Sequence, residues 1–177
     1  MQILLIAVGI LVVLIALILL YASTRPDNFH VERDVTIDAA PEKIFPLIED
    51  FHRWDAWTPY DKDPAMKKTY SGSTSGKGAH YAWEGNKQVG IGEITIVEST
   101  PPHALKFDLH MIKPFEGRNK AAIFLQPVGQ ATRVIWQLDD KHPLMLKTMS
   151  LFINLDRMIG RDFEVGLARL KTAVEAK

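Results

Sequence analysis

The sequence predicts an α+β domain, with an antiparallel sheet that bends and is closed by a long C-terminal helix, preceded by one transmembrane helix. Three observations carry that prediction. Residues 1–22 hold no charged side chain, and Ile3 to Ala22 is one apolar run broken only by Gly9. Between Met66 and Leu138 the hydrophobic pattern is the two-residue alternation of strands, with no helical stretch between them. From Leu144 onward the pattern turns helical, with Leu155, Ile159, Phe163, Leu167, Leu170 and Val174 along one stripe.

The apolar run comes first. At a rise of ~1.5 Å per residue it spans roughly 30 Å, the thickness of a bilayer hydrocarbon core. Tyr21 closes it at the position of an interfacial aromatic. A cleaved signal peptide fits less well: Met1-Gln2 lacks Lys and Arg, the apolar core is too long, and Tyr21-Ala22-Ser23 is a poor cleavage site. The expectation is a retained single-pass anchor over 1–22 in the cell membrane, a linker over 23–28 and a folded domain over 29–177. Arg25 and Arg33 follow the span and no basic residue precedes it, which places the domain on the cytoplasmic side.

Phe29, Val31, Val35 and Ile37 alternate with His30, Glu32, Asp34 and Thr36, a half-buried strand. Pro41-Glu42 starts a helix whose apolar stripe is Ile44, Phe45, Leu47 and Ile48, and Pro46 keeps it short or kinked. In Phe51 to Pro59, Trp54 and Trp57 share a face on a helical turn, with Asp55 between them as a cap. Strands are expected over Met66–Ser71, Ala79–Glu84 and Lys87–Glu98, with a tight turn at Gly85-Asn86. The apolar parity switches at Gly90-x-Gly92, which predicts a bulge. Three more strands follow, through Leu105–Met111, Ala121–Leu125 and Thr132–Leu138.

Composition narrows the chemistry. The 177 residues carry 21 Lys+Arg and 21 Asp+Glu, so there is no basic excess and nucleic acid is not an expected partner. Without Cys there is no disulfide framework and no thiol nucleophile. His30, His52, His80, His103, His110 and His142 show no metal-binding spacing, so neither metal nor cofactor is expected. Gly72 to Gly78 has one residue too few between its glycines, and no Ser or Thr after Lys77, for a phosphate-binding loop; it reads as a hairpin loop.

Val35-Thr36-Ile37-Asp38-Ala39-Ala40-Pro41-Glu42-Lys43-Ile44-Phe45, the segment Phe51 to Pro59, Trp83-Glu84-Gly85-Asn86, Gly129 to Trp136 and Asp162 to Lys171 together resemble the START-like (SRPBCC) superfamily, particularly its polyketide cyclase/dehydrase and lipid-transport group. The resemblance covers roughly Phe29 to Glu175. It implies a helix-grip fold, a curved sheet around the last helix, with an apolar cavity between them. It implies no catalytic residues, because the family has no universal set.

On that basis the expected activity is binding of a hydrophobic small molecule or lipid, with the membrane as partner through residues 3–22. The expected cavity wall is Trp54, Trp57, Tyr81, Trp83, Met111, Ile123, Val134, Trp136, Met149 and Phe163, with Met145 and Met158 nearby and Arg118 at the mouth for an acidic group. Two other activities fit the same sequence. An enzyme of cyclase, dehydratase or hydrolase type needs polar groups such as Asp55, Glu84, His110 and Arg118 to converge inside the cavity. A protein-interaction module needs a large exposed apolar patch.

Overall fold

The computed structural model describes residues 1–141 and 144–176; His142 lies outside them, as do the side chains of Asp140 and Met145. The chain forms two compact bodies, Met1–Phe29 with Lys141–Leu155, and His30–Asp140 with Asp156–Lys177.

The first body contains α1 (Gln2–Ser23) and, from the second chain segment, α3 (Leu144–Ser150). Only Ala22 of α1 is buried, and the helix is apolar on every side, with a mean hydropathy of 3.6 over its most apolar 18-residue window. It is long and apolar enough to cross a membrane. The chain turns at its end, where Thr24 and Arg25 donate backbone N–H groups to Tyr21 O and Ala22 O. Asp27 accepts a hydrogen bond from the buried Lys147 of α3.

The second body is built on a seven-stranded antiparallel sheet in the order β1-β7-β6-β5-β4-β3-β2. Its strands are β1 (Asn28–Ile37), β2 (Lys67–Gly72), β3 (Ala79–Glu84), β4 (Ile91–Thr100), β5 (Ala104–Lys113), β6 (Gly117–Val128) and β7 (Ala131–Lys141). Consecutive hairpins join β2 through β7, as expected when strands follow one another without helices between. The short helix α2 (Pro41–Ile48) follows β1, with Pro41 at its start and Pro46 inside it. A 3₁₀ turn (Phe51–Ala56) comes next, and the long helix α4 (Leu155–Glu175) ends the chain. This is the helix-grip arrangement.

Three local expectations change and one holds. Lys87 to Gly90 is a turn and not the start of β4: Asn86 Oδ1 accepts from Gln88 N, and Gly85 N donates to Gly90 O. The predicted bulge is present, as a register shift between Ile91 and Gly92, and a second falls between Ile96 and Glu98. The 3₁₀ turn is capped by Asp50, whose carboxylate accepts from His52 N at 2.9 Å; Asp55 instead meets Lys68 at 2.6 Å. The helical run from Leu144 is two helices, because the chain turns at Leu151–Asn154.

The core is held between one sheet face and α2, the 3₁₀ turn and α4. Ile37, Ile44, Ile48, Ile96, Leu105, Phe107, Ile123, Val134, Leu167 and Leu170 are completely or almost completely buried. Trp54 of the 3₁₀ turn and Trp57 just after it both spend their indole N–H on α2: Trp54 Nε1 donates to Ile48 O and Trp57 Nε1 to Leu47 O, each at 3.0 Å. Those carbonyls end a helix and have no partner within it. Arg33, on the inward parity of β1, lies flat on α4. It pairs with Asp156 and Glu164, each at 3.0 Å, over Gly160, where a Cβ would come within 2.1 Å of its Nη2. At the other end of α4, Lys171 Nζ donates to Thr36 O, and Glu175 accepts from both Lys171 and Asp38 N.

Candidate functional site

The inner sheet face is closed in its middle and partly open at one end. Strand register explains which residues share that end. One row runs Lys68, Trp83, Gly92, Met111, Gly117 across β2 to β6. The next runs Tyr70, Tyr81, Ile94, Leu109, Asn119. Tyr70, Tyr81, Trp83, Leu109 and Met111 are half-buried, whereas one row deeper Phe107 is 1% exposed. The taper follows from residue size: Gly92 and Gly117 carry no side chains, so this end of the face is shallow.

Aromatic rings form a continuous ladder there. Tyr70 stacks on Tyr81 with ring centres 5.1 Å apart, Tyr81 meets Trp83 at 5.6 Å, and His52 stacks on the far side of Tyr70 at 4.1 Å. Phe51 joins Tyr81 to the core through Phe107. The Trp83 ring lies over Gly92, where a Cβ would come within 2.5 Å of its Cζ2. One end of the ladder is polar. The Lys68 ammonium sits between Asp55 (2.6 Å) and Asp61 (2.9 Å). Partial burial alone would lower its pKa, but the hydrogen bonds to both carboxylates outweigh that and raise it. Burial raises the Tyr70 phenol and pushes that of Tyr81 up to about 12, so both stay neutral hydrogen-bonding groups at physiological pH.

The residues expected to form a cavity wall divide into groups. Tyr81, Trp83 and Met111 come together at the open end. Trp57 and Val134 are 0% exposed, and Ile123, Phe163, Trp136 and Trp54 are also buried. A side chain with no accessible surface borders no space wider than a water molecule, so Trp57 and Val134 are packed core in this structure. Trp136 and Phe163 stack face to face at 4.2 Å and 5°. Pro59 and Trp136 press on Gly166 of α4, where a Cβ would lie 2.8 Å from the Trp136 ring. Sheet and helix meet through these rings. Met149 belongs to the first body, in an apolar groove with Leu19, Leu144, Thr148 and Phe152. Met158 is exposed.

Arg118 is not at the mouth. It pairs with His110 across β5 and β6, and alternation puts both on the outer face, opposite Met111 and Trp83. That face carries a polar chain instead: His110 contacts Glu93 at 3.1 Å and Glu116 at 3.4 Å, and His80 contacts Thr95 at 2.9 Å. Glu84 is exposed, on the parity opposite Trp83. Of the four polar residues that would motivate catalysis, only Asp55 borders the open end, and it is bound to Lys68. Among the described residues no group of three His, Cys, Asp or Glu could hold a metal ion. The Gly72–Gly78 loop spends amides on backbone carbonyls outside it, with Gly76 N donating to Glu49 O and Gly78 N to Ile96 O. Sequence reading missed Tyr70, Lys68 and Leu109. The parity of Lys68 and Tyr70 within β2 was visible, but not which face of this edge strand turns inward.

Comparison with known proteins agrees with this architecture. Residues 28–175 match the family described as polyketide cyclase / dehydrase and lipid transport, and the chain belongs to that family. No curated protein matches it by sequence. Among solved structures it is similar to the Aha1 dimer from Colwellia psychrerythraea, at 17% identity and a TM-score of 0.61, covering 83% of this chain and 96% of that one. It is similar to Ara h 8.0201 at 10% identity and a TM-score of 0.59, covering 85% and 99%. CalU16 from Micromonospora echinospora is similar at 15% identity and a TM-score of 0.55, covering 84% and 83%. At such identities the likeness is one of fold.

Proposed function

We propose that this chain is a membrane-anchored binding protein for a hydrophobic small molecule or lipid, which it takes up at the open end of the inner sheet face. The observation that carries this reading is the half-exposed ladder Tyr70–Tyr81–Trp83 beside Leu109 and Met111. Partly exposed aromatic and thioether surface, with few polar groups at one edge, suits an apolar ligand with a polar head. The Lys68 ammonium and the two neutral phenols are the polar groups available for that head. Family membership supports the same reading, since its description includes lipid transport. Helix α1 supports anchoring: twenty-two residues with almost no buried surface and no charge need an apolar surrounding. Residues 1–22 then form the span, 23–28 the linker and 29–177 the binding domain, on the cytoplasmic side by the positions of Arg25 and Arg33.

The test is native mass spectrometry of the full chain purified in mild detergent from its own host, together with Trp fluorescence during titration with a long-chain fatty acid. The expected result is a co-purifying apolar molecule and a saturable fluorescence change that Trp83→Ala abolishes. A ligand-free protein whose fluorescence is unmoved by fatty acid or isoprenoid alcohol overturns the reading.

A further inference from the structure

We propose that residues 144–153 are a second membrane contact, a short apolar element lying in the lipid–water interface beside the end of the span. The proposal rests on reading residues 3–22 as that span. Leu144 to Leu155 contains one charged side chain, Lys147. That side chain is only 7% exposed and donates to Asp27, so its charge is paired and withdrawn from the surface. The apolar residues do the opposite: Phe152 is 74% exposed, Leu144 46% and Ile153 44%. An element that hides its cation and shows its large apolar side chains is matched to lipid, not to water.

What covers this face follows from its continuity with α1. Leu144, Thr148, Met149 and Phe152 form one apolar groove with Leu19. Leu19 lies four residues before the end of α1 at Ser23, a depth of about 6 Å along the helix axis. Interfacial elements sit ~5–10 Å into the headgroup and acyl boundary, which is the same level. The polar groups of this body gather just beyond it. The Arg25 guanidinium lies 5.2 Å from the Tyr21 ring centre, and Asp27 holds Lys147. An aromatic–cation pair and a paired Lys at the end of a span are groups that favour the headgroup layer. The occupant is therefore the bilayer that holds α1.

Because the chain has no Cys, single spin labels can be placed cleanly. The full chain, reconstituted in vesicles of palmitoyl-oleoyl phosphatidylcholine, is labelled separately at Leu19→Cys, Phe152→Cys, Leu144→Cys and Val128→Cys, the last an exposed site at the end of β6. Collision with oxygen reports lipid, and collision with a water-soluble nickel complex reports water. Labels at Phe152 and Leu144 are expected to collide with the nickel complex several-fold less than the label at Val128, and with oxygen several-fold more. If Leu19 reads as lipid while Phe152 and Leu144 match Val128, the second contact is overturned and the span stands. If Leu19 itself reads as water, the span reading fails and takes this proposal with it. Labels at Phe152 shielded from both reagents, with spin–spin broadening lost on dilution with unlabelled chain, mean that a second copy covers the face, which also overturns the proposal.

Discussion

At the scale of single residues, the two glycines of α4 that meet other side chains have opposite expectations. At Gly166 an added Cβ would meet the Trp136 ring at 2.8 Å and Pro59 at 3.0 Å, both held in the packed core. Overpacking costs ~1–3 kcal/mol, more than the ~1 kcal/mol that Ala contributes over Gly within a helix. Gly166→Ala is therefore expected to destabilise the protein by about 1 kcal/mol or more, read as a lower urea midpoint. At Gly160 the obstacle is the far end of the Arg33 side chain. A partly exposed ion pair contributes ~0.2–1 kcal/mol, comparable with the helix gain, so Gly160→Ala is expected to be near neutral. The same midpoint measurement separates the two.

Trp83 gives the residue-scale test of binding. It is half-buried, and its ring rests on a glycine and not in a closed pocket. Trp83→Ala is expected to cost roughly 1–3 kcal/mol of folding stability through lost apolar burial, while the variant, still folded, binds an apolar ligand roughly tenfold or more weakly. A folded variant that binds as tightly as the parent would mean that the ring is a packing residue.

Among the elements, β1 is an edge strand whose outward face is tied to β7 by a charged pair. Arg133 on β7 holds the Asp34 carboxylate through two hydrogen bonds of 3.0 Å, which keep its pKa below the ordinary carboxylate value. A carboxyl with a lower pKa in the folded state stabilises fully above the unfolded value of about 4, and that contribution is lost as the pH falls through the folded value. Asp34→Asn is expected to flatten the acid limb of the stability profile below about pH 4 and leave its slope near neutrality unchanged. Denaturant titrations at a series of pH values measure it; an unchanged acid limb would sink the assignment.

For the whole molecule, the two bodies give separate expectations for a chain that begins at Pro26. The sheet body holds its own core, from Ile37 to Leu170, and is expected to remain folded with dispersed amide resonances. The first body loses α1, so amide exchange over residues 144–153 is expected to accelerate while β4 to β7 stay protected. If removal of α1 unfolds the sheet body as well, the two bodies form a single cooperative unit.

Sequence alone determined the element order, the antiparallel sheet, the bulge before Gly92 and the apolar N-terminal helix, because each is written in local periodicity or in the absence of charge. Tertiary structure decided which aromatics remain open. Trp57, Trp136, Tyr81 and Trp83 look alike in sequence as inward aromatics. Only the closure of α4 on Trp136 through Gly166, and the side-chain-free row at Gly92 and Gly117, bury the first two and leave the others half-exposed. Arg118 was displaced because β6 begins at Gly117, ahead of the expected start at Ala121, so that alternation with Ala121 and Ile123 carries Arg118 to the outer face. The paired Lys147 is the clearest case, since its partner, Asp27, is 120 residues away and no local pattern connects them.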